Sequence, residues 1–127
     1  MERVLLILAG VYGFVGVALG AFGAHALRPV FDRANDAAKR AEWWHTATQY
    51  HLVHALAIGL AAWLLSRSQS TAATVAGFAF AAGVLLFSGT LYTMAVTGIR
   101  WLGAITPIGG LLLLIGWAAV IVAAAKK

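Results

Sequence analysis

The sequence predicts an all-α polytopic membrane protein: four transmembrane helices in an antiparallel bundle, with a short amphipathic interfacial helix between the first and second. Three observations predict it. Of 127 residues, 62% are hydrophobic and only 10% are charged, and the mean hydropathy is +0.89. Soluble domains carry about 25% charged residues, so too little polar surface is available here to face water. The charges also punctuate the chain, leaving residues 4–27, 43–66, 68–99 and 101–125 without any. Each run exceeds the roughly 20 residues that one crossing needs. Open strands would leave backbone groups unpaired in hydrocarbon, so the spans are helices.

The runs place helices at 4–27, 43–65, 72–97 and 101–125 of a single domain. Ala24-His25-Ala26 resembles a small-x-small cleavage site. The apolar run before it, however, is longer than the roughly 7–15 residues of a signal peptide, so helix 1 is retained. In the segment 28–42, Phe31, Ala34, Ala38 and Ala41 recur at spacings of three and four, with Asp32, Arg33, Asp36, Lys39 and Arg40 opposite. That is the pattern of a helix lying on the membrane surface. Trp43, Trp44 and Trp101 suit the interfacial aromatic belt.

The formal charge is +5 and cysteine is absent, which excludes disulfides, iron–sulfur ligation and thiolate chemistry. The basic residues sit at the ends of apolar runs, as headgroup contacts do, and not as a nucleic-acid-binding stripe. Arg3, Arg67, Lys126 and Lys127 share one side of the membrane; Arg28, Arg33, Lys39, Arg40 and Arg100 share the other. The count is nearly balanced and sets no orientation.

Helix 1 carries Gly10, Gly13, Gly16, Gly20 and Gly23, a small-residue face against which another helix can pack closely. Such a face serves a neighbour in the same chain or a second copy, so a homo-oligomer or a larger membrane complex is expected as an alternative to the lone bundle.

Polarity is one-sided. Measured from the face bearing residues 28–42 and 98–100, His51 lies about 9 Å deep and His54 about 14 Å. His25, Ser88, Tyr92 and Thr106 fall in the same half, with Thr46, Gln49, Tyr50, Thr90 and Thr93, while the opposite half is almost wholly apolar. This predicts a vestibule open to one side, and it argues against a channel or proton wire, which needs polar groups along its length. The histidines allow three readings. They can hydrogen-bond across helices. His51 and His54 form an HxxH pair, but no helix interior supplies a carboxylate to complete a metal site, so no metal is expected. His25 on helix 1 and His51 or His54 on helix 2 could hold haem between them, as in other bundles. Thr106-Pro107, bracketed by Gly103 and Gly109-Gly110, predicts a bent or unwound start to helix 4. Ser88 lies in FSG, outside any nucleophile elbow, so no catalytic residue is assigned.

GAFGAHAL at 20–27, TATQYHLVHALA at 46–57, LFSGTLY at 86–92 and GAITPIGG at 103–110 resemble the YgdD-like family of small, uncharacterised inner-membrane proteins, which also resembles small eukaryotic transmembrane proteins. The resemblance implies a four-helix protein of the inner (plasma) membrane with no established biochemical role. Its pattern maps onto Gly23, His25, Tyr50, His54, Ser88, Gly89, Tyr92, Thr106, Pro107 and Gly109-Gly110, and leaves His45 and His51 outside. Relatives with basic tails like Lys126-Lys127 favour cytoplasmic termini. The combined expectation is a non-enzymatic protein with a pocket around His25, Tyr50, His54, Ser88, Tyr92 and Thr106, which binds a small ligand or lipid there or acts through it as an accessory subunit of a larger membrane assembly. No cofactor and no nucleic-acid partner are expected. The competing reading is a redox protein holding haem or quinone at His25 and His54.

Overall fold

The computed structural model describes residues 1–126; Lys127 of the basic tail lies outside the described residues. Four helices are long and apolar enough to cross a membrane, and no strand occurs among the described residues. Helix α1 (Glu2–Ala18) runs into a π turn over Leu19–Gly23 and then the short α2 (Ala24–Ala26) and α3 (Arg28–Asp32). Helices α4 (Ala37–Ser68), α5 (Thr71–Thr97) and α6 (Thr106–Ala125) supply the other crossings.

The segment 28–42 is helical but in two pieces. A turn at Arg33–Asp36 separates α3 from α4, which begins at Ala37 and continues through Trp43 without a break. Residues 37–43, AAKRAEW, contain neither Gly nor Pro and include several strong helix formers, so nothing stops the helix at the membrane surface. At 32 residues, α4 is about 48 Å long against a hydrocarbon core of about 30 Å. Its first turns therefore stand at headgroup level. Asp36 anchors them: its carboxylate accepts from Arg40 Nε at 2.8 Å and from Arg100 at 3.0 Å. The Arg40 hydrogen bond, supported by Arg100, holds the Asp36 carboxyl below the usual carboxylate range.

Helices α4 and α5 form the central pair, with α1 packed chiefly on α4 and α6 on α5. The outer helices present most of their surface to lipid. The core is small-residue packing around Leu5, Ile58 and Phe80, lined by Ala57, Ala61, Ala73 and Ala76. A two-residue turn, Gln69-Ser70, joins the central helices. Ser70 Oγ caps α5 by accepting from the Ala72 amide at 3.1 Å.

The glycine face of α1 divides. Side chains at Gly16 and Gly23 would strike Leu52 and the Trp44 indole, whereas Gly10 and Gly13 meet nothing within 4 Å. Trp44 is buried beneath the π turn, donating its indole N–H to the Leu19 carbonyl at 3.0 Å. It belongs to the core and not to the aromatic belt; Trp101, 67% exposed, keeps the belt position. Before α6, Arg100–Ala104 form a 3-10 turn, and Pro107 falls in the first turn of the α-helix, where its missing N–H costs no hydrogen bond. Closest of all is α5 against α6, where the Cα of Gly109 sits against the Phe87 backbone. Gly109→Ala is expected to force these helices apart and destabilise the fold by about 1–3 kcal/mol. Gly13→Ala should stay within about 0.5 kcal/mol of the natural protein. Unfolding of the purified variants in detergent measures both.

Candidate functional site

Spacings of three and four residues place Tyr50, His51 and His54 on neighbouring rows of α4, midway along the central pair. From there they face two separate clefts. One, of about 570 Å³, lies between α4, α5 and α6 and is lined by Tyr50, His54, Phe87, Pro107, Leu111 and Trp117, among others. The other, of about 300 Å³, lies between α1, α4 and α5 and is lined by Tyr12, His51, Ser88 and Tyr92 within apolar walls.

In the larger cleft, the Tyr50 ring lies 4.5 Å from Phe87 and stacks on His54 at 5.9 Å, centroid to centroid. The His54 ring also meets Phe80 and Trp117 at 5.5 and 6.0 Å. Its hydrogen bonds fix its chemistry. Trp117 Nε1 lies 3.1 Å from His54 Nε2, and an indole N–H can only donate, so Nε2 accepts. Nδ1 then carries the proton and donates to the Tyr50 carbonyl at 2.7 Å. His54 is therefore a neutral imidazole with both nitrogens engaged.

In the smaller cleft, His51 Nδ1 and the Tyr92 hydroxyl lie 2.9 Å apart. Ser88, fully buried, donates to the Ala47 carbonyl at 2.7 Å. Tyr12 reaches from α1 to donate to the Ala81 carbonyl at 2.9 Å. Thr106, at the start of α6, lies 2.6 Å from the Thr90 hydroxyl of α5.

The single vestibule expected around six residues is thus divided. Tyr50 and His54 share the larger cleft, Ser88 and Tyr92 the smaller, and Thr106 bonds to Thr90. His25, on the short α2, is exposed and makes none of the contacts that tie His54 to Phe80 and Trp117. The cause is local: the π turn and α2 carry the chain out of the first span before residue 25. A haem held by His25 and His54 does not fit, because His54 has no free nitrogen and His25 lies elsewhere. Among the described residues, no three His, Asp or Glu side chains are grouped to hold a metal.

Sequence reasoning passed over two participants. Trp117 lies in the half that composition marks as apolar, and Tyr12 lies in helix 1 beyond the polar half. The signal for both is the same: an aromatic with a donor, placed deep in hydrocarbon, must find an acceptor on another helix. His51, outside the family pattern, is buried too and bonds Tyr92 through Nδ1.

The fold and this network define a class: a four-span membrane protein whose polar side chains bond across its own helices. The chain belongs to the DUF423 family, proteins of unknown function, whose family profile matches residues 19–110. It is 43% identical to the UPF0382 membrane protein YwdK of Bacillus subtilis, over 98% of each chain. It is 38% identical to the UPF0382 inner membrane protein YgdD of Escherichia coli K12, over 98% of this chain and 92% of that one. A Staphylococcus epidermidis UPF0382 membrane protein is 40% identical over 98% and 97%. No solved structure matches the chain.

If His54 serves as a cross-helix acceptor, His54→Leu and Trp117→Phe are not additive. A double-mutant cycle on detergent-solubilised protein should give a coupling of about 0.6 kcal/mol, the average for interhelical hydrogen bonds in membranes. Additive losses contradict the assignment.

Proposed function

We propose that the chain is a non-enzymatic protein of the inner (plasma) membrane that binds a lipid or lipid-like small molecule in the cleft between α4, α5 and α6. One observation carries this reading. The cleft opens on the bilayer side, beside the exposed Ile108, Leu111 and Leu114, and the hydroxyl of Tyr50, which lines it, makes no hydrogen bond among the described residues. A ligand with an apolar body and one carbonyl or hydroxyl oxygen would place that oxygen on Tyr50 and its body against Phe87, Pro107 and Trp117. The volume is within the range of roughly 300–1,000 Å³ usual for small-molecule sites.

The residues beside the cleft favour binding over catalysis. All four carboxylate side chains, Glu2, Asp32, Asp36 and Glu42, lie outside the uncharged runs. The Ser88 hydroxyl is committed to a carbonyl, and the two His54 nitrogens are committed to Trp117 and Tyr50. Nothing there is poised to move a proton.

Photoactivatable acyl lipid in native membranes tests the reading. Labelling is expected to concentrate at Leu111, Leu114 and Trp117 and to fall when Leu114→Trp fills the cleft. Labelling spread equally over Leu6, Ile7 and Phe14 of α1 would contradict it. A Soret band in the absorption spectrum of the purified protein would overturn it in favour of the redox reading.

A further inference from the structure

A third cavity lies at headgroup level, on the side of α4 that meets the π turn and α3. It measures about 400 Å³ and is lined by Arg28, Phe31, Asp32, Trp44, His45 and Thr48, with Gly20 and the small Ala37, Ala38 and Ala41 completing its wall. We propose that it binds the zwitterionic phosphoethanolamine headgroup of a phospholipid. The site is separate from the Tyr50 cleft and does not depend on the reading of that cleft.

The charge arrangement selects the ligand. Arg28 and Asp32 stand four residues apart on α3, a spacing at which opposite charges ordinarily pair. Here they do not: both ion pairs among the described residues use Asp36. A guanidinium and a carboxylate therefore line one cavity without neutralising each other. A phosphate on Arg28 together with an ammonium on Asp32 satisfies both groups at once. An anionic headgroup satisfies Arg28 but leaves Asp32 facing negative charge, and a quaternary ammonium offers Asp32 no N–H to donate. The His45 imidazole lines the same wall and can add a donor to phosphate or glycerol oxygen.

Depth selects a lipid over a soluble molecule. The lining residues of α4 run from Ala37 to Thr48, about 16 Å along the helix axis, from the headgroup layer into the bilayer. The upper wall is charged. Phe31 and Trp44, both buried and 6.1 Å apart between ring centroids, support the wall below, where glycerol and the first acyl carbons would lie.

Native mass spectrometry of the full chain in detergent, with dioleoyl phosphatidylethanolamine, phosphatidylglycerol and phosphatidylcholine added singly, tests the proposal. The natural protein should retain phosphatidylethanolamine about two- to fivefold better than either other lipid, the scale of one partly exposed ion pair. Arg28→Gln should weaken phosphatidylethanolamine and phosphatidylglycerol alike. Asp32→Asn should remove the preference for phosphatidylethanolamine over phosphatidylglycerol without lowering phosphatidylglycerol retention. Both positions are exposed, so unchanged thermal unfolding of the two variants shows that the fold is kept. Equal retention of the three lipids, or a preference that survives Asp32→Asn, overturns the proposal. Displacement of bound lipid by free glycerophosphoethanolamine at equal concentration would overturn the lipid assignment and give the pocket to a soluble zwitterion.

Discussion

Where α4 meets α5, the Ser88 hydroxyl donates to the Ala47 carbonyl, and both residues are fully buried. Hydrocarbon offers the hydroxyl no partner of its own. The same constraint acts at other contacts: Tyr12 ties α1 to α5, Trp44 ties α4 to the π turn, Thr90 meets Thr106 at the start of α6, and Trp117 ties α6 to His54. Each bond is worth about 0.6 kcal/mol on average, so none holds the bundle alone. Their value lies in register, because a helix that slides or turns leaves a polar group facing acyl chains. Close packing supplies the rest, through Gly16, Gly83 and Gly109, whose neighbours leave no room for a side chain.

A bundle that consumes its polar groups in this way leaves its functional surface by subtraction. His51, His54, Ser88, Tyr92 and Thr106 are occupied in holding helices. Among the described residues, the groups left without a partner include the Tyr50 hydroxyl at one cleft and Arg28, Asp32 and His45 at the headgroup cavity. Both places open towards lipid, and neither offers a nucleophile with a base. The residues that look most chemical in the sequence are thus the most structural, and the proposed binding rests on their less conspicuous neighbours.

Much of the architecture is legible in the chain because solvent alone dictates it: uncharged runs of sufficient length give four spans, although α4 starts at Ala37, ahead of its run, and the first span ends at Gly23, short of its own. The turn at 33–36 is harder to read, since the pattern of Phe31, Ala34, Ala38 and Ala41 continues across it and the break comes from Asp36 binding Arg40 and Arg100. The π turn at Leu19–Gly23 leaves no periodic signature; it follows from Trp44 wedging against Gly23. The site is only partly legible for a related reason. Depth along the axis follows from residue number, but rotation about the axis does not, and rotation sends His51 towards Tyr92 and His54 towards Trp117. Residues at nearly equal depth therefore parted into two clefts.

The histidine at the centre of the bundle carries the claim that polar side chains here bind helices and not cofactors. The ¹⁵N spectrum of histidine-labelled protein in lipid bilayers, with His54 identified by its loss in a His54→Leu sample, reads the state of each ring nitrogen. The account predicts a neutral ring with the proton on Nδ1, and a bare Nε2 whose resonance moves when Trp117 is replaced by Phe. A proton on Nε2, a doubly protonated ring, or a resonance broadened by a bound paramagnetic metal would contradict it.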